Sequence, residues 1–212
     1  MKNRVIVSSD ADILLIDYLK GLGAETEIYS SEYDVAPAIR NHPDLIYVRL
    51  KEDILFKGDG RLLKPEYPGD IIYNGFSTGK YFIHKLACTA DDLLKAAEDC
   101  GLIPVDVKQG YSGCSIVPVD EDSIITYDRG IAEACTEAGM DVLLVEPGHV
   151  LLPGYKTGFL GGTSGKFGDR IIFNGDLSAH PDFERRKSFI ENKGLKLVFF
   201  GQYPLRDIGS II

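Results

Sequence analysis

Few side chains in this 212-residue chain can do chemistry, and four cysteines and four histidines are among them. Cys114 follows Gly113 at the head of the apolar run SIVPV, where a thiol can serve as a nucleophile or as a small buried hydrophobe. Cys88, Cys100 and Cys135 fall on or beside expected helices and read as packing residues. His84 ends the run YFIH, and His180 precedes Pro181 near a helix start. Asp10, Asp128 and Asp176 each follow an apolar run. There a carboxylate can cap a helix or fill a turn, and similar placement would gather Asp10, His84, Asp128 and Asp176 around one axis.

The stretch GFLGGTSGK holds Gly161, Gly162 and Thr163, whose backbone N–H groups could face an anion. It fails as a phosphate loop, because Leu160 occupies the first glycine position and Phe167 follows Lys166. A glycine-rich loop over a channel mouth, open to close approach or gating, is the reading retained. No pair of cysteines has C-x-x-C spacing, so structural zinc is unsupported; no metal and no cofactor are expected.

The elements that must position these residues repeat. Residues 123–145 read as a strand, a helix capped by Asp128 with Ile131, Ala134 and Cys135 to one side, the helix-ending Gly139, and the strand VLLV. Residues 4–29 repeat the order, with Ile13, Ile16 and Leu19 at helical spacing and Gly23 as the stop. Residues 81–107 do so with Thr89 and Asp92 approximating a capping box. Residues 170–199 do so with Pro181 at the first helical position and Gly194 as the stop.

Strand-like runs precede the units: CSIVPV before the third, HVLLPGY before the fourth, and DLIYVRL with DILF in a piece that lacks a helix. A unit is therefore strand, strand, helix, strand, which is not a doubly wound sheet. IGSII at 208–212 reads as the first strand missing from the N-terminal unit, so that joining the chain ends completes a ring.

Bulk properties narrow the function. Lys and Arg number 23 against 32 Asp and Glu, a formal charge of −9, which argues against a nucleic-acid partner. The N-terminal run VIV is too short for a signal sequence or a membrane span, so a cytoplasmic protein with no membrane partner is expected. A hydrophobic share of 44% and a charged share of 26% fit one folded domain over 1–212, with oligomeric state open.

These repeats, with GYKTGFLGGTSGK, FNGDLSAHPD and PLRDIGSII, resemble the pentein, or guanidino-group-modifying, fold, and more narrowly an uncharacterised bacterial family assigned to it. The resemblance implies an α/β propeller of ββαβ modules around a central channel, with one degenerate, helix-less module near 43–75. It implies a small-molecule ligand, and by analogy with deiminases and dimethylarginine hydrolases, a cysteine, a histidine and acids that hold a guanidinium. On that basis Cys114 is the candidate nucleophile, with His84 or His180 carrying protons. Asp10, Asp128, Asp176, Gly161, Gly162 and Thr163 are the candidate ligand-binding residues. Leu160 and Thr163 stand where the deiminases carry acids, and Ser210 stands where their cysteine is expected. The functions implied are binding of a small polar, guanidino-containing molecule, a Cys-dependent amidinohydrolase or deiminase, or a non-enzymatic interaction protein like the ribosome anti-association factor of this fold.

Overall fold

The computed structural model describes residues 3–212. The first unit is β1 (Arg4–Ser8), α1 (Ile13–Gly21) and β2 (Glu25–Tyr29), with β1 and β2 parallel. An antiparallel hairpin of β3 (Tyr47–Lys51) and β4 (Ile54–Lys57) follows, without an α-helix. Next come β5 (Phe76–Ser77), β6 (Tyr81–His84), α2 (Asp91–Asp99) and β7 (Ile103–Asp106). The one-turn α3 (Ser112–Ser115) leads into β8 (Ile116–Asp120), β9 (Ser123–Thr126), α4 (Arg129–Glu137) and β10 (Asp141–Leu144). The last unit is β11 (Ser164–Phe167), β12 (Arg170–Phe173), α5 (Phe183–Asn192) and β13 (Lys196–Val198).

The described residues form a mixed α/β structure of five small separate sheets, which do not close into a barrel. In the three-stranded sheets the first pair is antiparallel and the second, bridged by the helix, is parallel. The middle strands are buried on both faces, which is why they read as unbroken apolar runs rather than alternating ones. At the chain end, Ile6 and Ile212 exchange two backbone hydrogen bonds of 2.6 and 3.1 Å, and Ile211 N–H donates to the Ser164 carbonyl. The apolar clusters also join successive sheets. Ile83 packs with Ile124, Val117 with Ile171, and Val5 and Val7 with Ile172 and Ile211 from the other end of the chain.

The repeating units fall at the expected places, with differences in detail. Asp128 caps α4 through a 2.9 Å bond from Ile131 N–H, and Gly23, Gly139 and Gly194 all have positive φ after their helices. Asp12, not Asp10, caps α1. Ile13, the first residue of α1, is 60% exposed, and Leu15 and Leu19, four residues apart, form the buried face instead. Thr89 and Asp92 make no capping box: Ala90 is the cap residue, and Thr89 Oγ1 is held by His84 Nδ1 at 2.8 Å. Pro181 stands ahead of α5, whose first residue is Phe183. HVLLPGY forms only an isolated bridge between Leu151 and Arg206, and the first strand of the last unit is SGKF instead. No described helix is long and apolar enough to cross a membrane.

Candidate functional site

The residues just ahead of the first strands meet in the interior. A short turn at 43–45 sets Asp44 in front of β3, with its N–H on the Gly209 carbonyl at 3.2 Å. Asn74, ahead of β5, donates from Nδ2 to the Asp44 carbonyl at 3.0 Å and accepts from Cys114 N–H at 3.3 Å. Cys114 lies in α3, and its Sγ donates to Asp44 Oδ2 at 3.0 Å. Ser210 Oγ donates to the same oxygen, also at 3.0 Å. His42 and Asp207 complete the cluster, with His42 Nδ1 3.7 Å from Asp207 Oδ1. His42, Asp44, Cys114 and Asp207 are all buried.

Two glycines make the space. A Cβ on Gly162 would lie 2.0 Å from Asp207 Oδ1, so only glycine lets that carboxylate into the interior. Gly209, at φ 70°, sits where a Cβ would strike His42. Asp207 is then held by N–H groups of Phe159 at 2.9 Å and Gly209 at 3.1 Å.

Burial sets the protonation states. Desolvation pushes the Asp44 carboxyl above the ordinary carboxylate range, despite opposing help from His42 and from the hydrogen bonds of Cys114 and Ser210. Desolvation, followed by the charges of Asp44 and Asp207, pushes the Cys114 thiol well above its usual value. Cys114 is thus a neutral thiol donor, and Asp44 Oδ1 has no hydrogen-bond partner.

A cavity of about 660 Å³ opens beside the cluster. Its walls include residues of β3, β5, β8 and β11 and the segment 210–212, and it reaches Asp44, Gly113 and Ser210. Charges of both signs line it, among them Arg49, Lys166, Asp120 and Glu121. Arg49 donates to the carbonyls of Arg4 and Glu52, and Lys166 to that of Val119. Near Cys114, Tyr111 lies between Tyr67 and Phe159 at centroid distances of 6.1 and 5.4 Å, and Phe159 stacks on Tyr127.

Of the residues singled out in the sequence, Cys114, Gly161, Gly162 and Ser210 belong to this centre. Thr163 is buried beside it, but its hydroxyl donates to the Leu160 carbonyl at 2.6 Å. The proposed gathering of Asp10, His84, Asp128 and Asp176 is corrected, because each is satisfied locally and none lines the cavity. Asp10 is exposed beside Asn41, Asp128 caps its helix, and Asp176 accepts from Ser178 N–H and Oγ. His84 is locked between Thr89 and the Gly110 carbonyl, its pKa lowered to about 4 by burial. His180 contacts the buried Arg186, and burial first and then that guanidinium bring it to about 4. Neither imidazole makes a hydrogen bond to Cys114.

His42, Asp44, Asn74 and Asp207 were missed in the sequence. The signal was positional: Asn74-Gly75 and Gly113-Cys114 stand just ahead of a first strand, and Gly209-Ser210 just ahead of the chain end, where the expected strand IGSII is reduced to the backbone pairing of Ile212 with Ile6. His42 and Asp44 lie at the edge of the piece without a helix, where the repeat is hardest to see.

Fold and site together define a class: an α/β protein of repeated small sheets whose first strands enclose a cavity beside a buried thiol, imidazole and carboxylates. Residues 57–212 match the family described as "Family of unknown function (DUF6873)", and the chain belongs to that family. Cys114, Asp207 and Ser210 lie within the matched residues, whereas His42 and Asp44 precede them. No curated protein and no solved structure matches the chain.

Proposed function

We propose that this chain is a pentein-like α/β propeller whose five sheets are its modules, and that it binds a small polar, guanidino-bearing molecule in the central cavity. The observation that carries the reading is the cavity itself, walled by first strands from different sheets, with Asp44 on its lining and Oδ1 of that carboxylate lacking a partner. A buried carboxylate oxygen left unpaired is costly, and a planar guanidinium is a geometrically suited counterion. Arg49 and Lys166 offer cations for a carboxylate elsewhere on the same ligand. Apolar clusters that join successive sheets, and the Ile6–Ile212 pair, support the ring. Titration calorimetry with arginine, agmatine and methylated arginines tests the reading. Binding that weakens in Asp44→Asn supports it, and no binding of any of them at millimolar concentration overturns it.

A second reading, a Cys-dependent amidinohydrolase or deiminase, is favoured by one observation. The ligating atoms of His42, Asp44 and Cys114 lie within 4.8 Å of one another, which places an imidazole near the thiol. Labelling by a haloacetamidine tests it, and a labelled peptide that never contains Cys114 removes the reading.

A further inference from the structure

We infer that His42, Asp44 and Cys114 form a binding site for one divalent ion of the zinc class. One nitrogen, one oxygen and one sulfur donor, all buried, lie within 4.8 Å of one another. That donor set suits zinc: thiolate and imidazole are its common ligands, whereas calcium and magnesium choose oxygen alone. The spacing is already short on one side, with Cys114 Sγ 3.0 Å from Asp44 Oδ2.

Three further features point to a cation. Two carboxylates, Asp44 and Asp207, are buried here with the His42 imidazole beside them. Buried anions are stable when paired or when they coordinate metal. Asp44 also has a buried oxygen, Oδ1, without any partner. Finally, Asp207 stands 3.7 Å from the His42 ring and is itself fixed by the Phe159 and Gly209 N–H groups. A carboxylate this close to an imidazole is placed to orient a metal-bound histidine once the 3.7 Å gap closes to a hydrogen bond.

Binding ionises the thiol. The sulfur–metal bond forms as the S–H bond breaks, and the proton leaves to solvent, so no oxidant or reductant takes part. The sequence offered no warning of this site, because its ligands are scattered from 42 to 114 without local metal spacing. The site does not depend on the guanidino reading. It shares Asp44 with the ligand-binding reading and His42 and Cys114 with the hydrolase reading, but needs no organic ligand.

The test uses the full chain without any organic ligand. Zinc is titrated against a chromophoric chelator, and cobalt(II) is added to look for a thiolate charge-transfer band. The expected result is one equivalent per chain and a band that disappears in Cys114→Ser but survives in a Cys88→Ser/Cys100→Ser variant. Asp207→Asn should weaken affinity about 10- to 100-fold while keeping the band. X-ray absorption on the zinc-loaded wild type keeps the question answerable if Cys114→Ser does not fold. One sulfur at ~2.3 Å with nitrogen or oxygen at ~2.0 Å is expected. Absence of stoichiometric binding, a band indifferent to Cys114, or a shell without sulfur overturns the site.

Discussion

Cys114 and Asp44, 70 residues apart in the chain, are joined by a 3.0 Å hydrogen bond from Sγ to Oδ2 in a fully buried setting. Asp44 Oδ2 also accepts from Ser210, so this one carboxylate ties together the turn ahead of β3, the turn ahead of β8 and the end of the chain. Replacing it with Ala removes the acceptor for both groups, leaving the buried Cys114 thiol only the 3.4 Å contact from Asn74 Nδ2 and the half-buried Ser210 hydroxyl only the longer contacts to the Gly113 and Gly161 carbonyls. Asp44→Ala should lower unfolding stability by ~2–3 kcal/mol, whereas Asp44→Asn, which keeps an acceptor, should cost less. Urea denaturation of both variants checks the order.

Gly162 has no room for a side chain, since a Cβ would approach Asp207 Oδ1 to 2.0 Å. Gly162→Ala should destabilise by about 1–3 kcal/mol through overpacking. Combined with Asp207→Ala, which removes the colliding carboxylate, the two effects should be clearly less than additive. Additive losses in a double-mutant cycle would contradict the contact.

His84 carries a pH signature. Its pKa falls to about 4 on folding from a normal value of 6.5, because burial disfavours the charged ring. Between these values the unfolded chain binds the extra proton, so stability is full above about pH 6.5 and declines as pH drops toward 4, by up to ~3 kcal/mol. His84→Gln should flatten that part of the stability-against-pH curve, and an unchanged slope would show that His84 is not its source.

Ile211 and Ile13 are opposite cases. Ile211 is 5% exposed and packs with Val5 and Val7, while Ile13 is 60% exposed at the start of α1. Ile211→Ala should therefore cost ~2–4 kcal/mol, and Ile13→Ala should stay within about 0.5 kcal/mol of wild type. Thermal or urea unfolding of the pair measures how firmly the end of the chain is held against its beginning.

The repeat was legible because its markers are local. Asp128 caps its helix by an interaction spanning three residues, and Gly23, Gly139 and Gly194 take the positive φ that stops a helix. The doubly buried middle strands announce themselves as apolar runs. Where competing local signals existed, the reading slipped. HVLLPGY looks like a strand but finds no full partner, and SGKF, with little β propensity, becomes one by pairing with RIIF. Pairing rewards the fit to a neighbour more than the segment's own preference.

The sequence by itself determined the units, their order and the cysteine that lies at the centre, since caps, glycine stops and apolar periodicity act over a few residues. Only the tertiary structure decided which side chains surround Cys114. His42 and Asp44 come from the turn ahead of β3, Asn74 from the segment ahead of β5 and Asp207 from near the chain end, and Gly162 and Gly209 admit Asp207 and His42. Asp10, His84, Asp128, Asp176 and His180, which looked chemical in one dimension, are engaged by hydrogen-bond partners away from the cavity. The physical reason is burial: a carboxylate or thiol changes its character when water is removed, and that removal is a property of the whole packed chain.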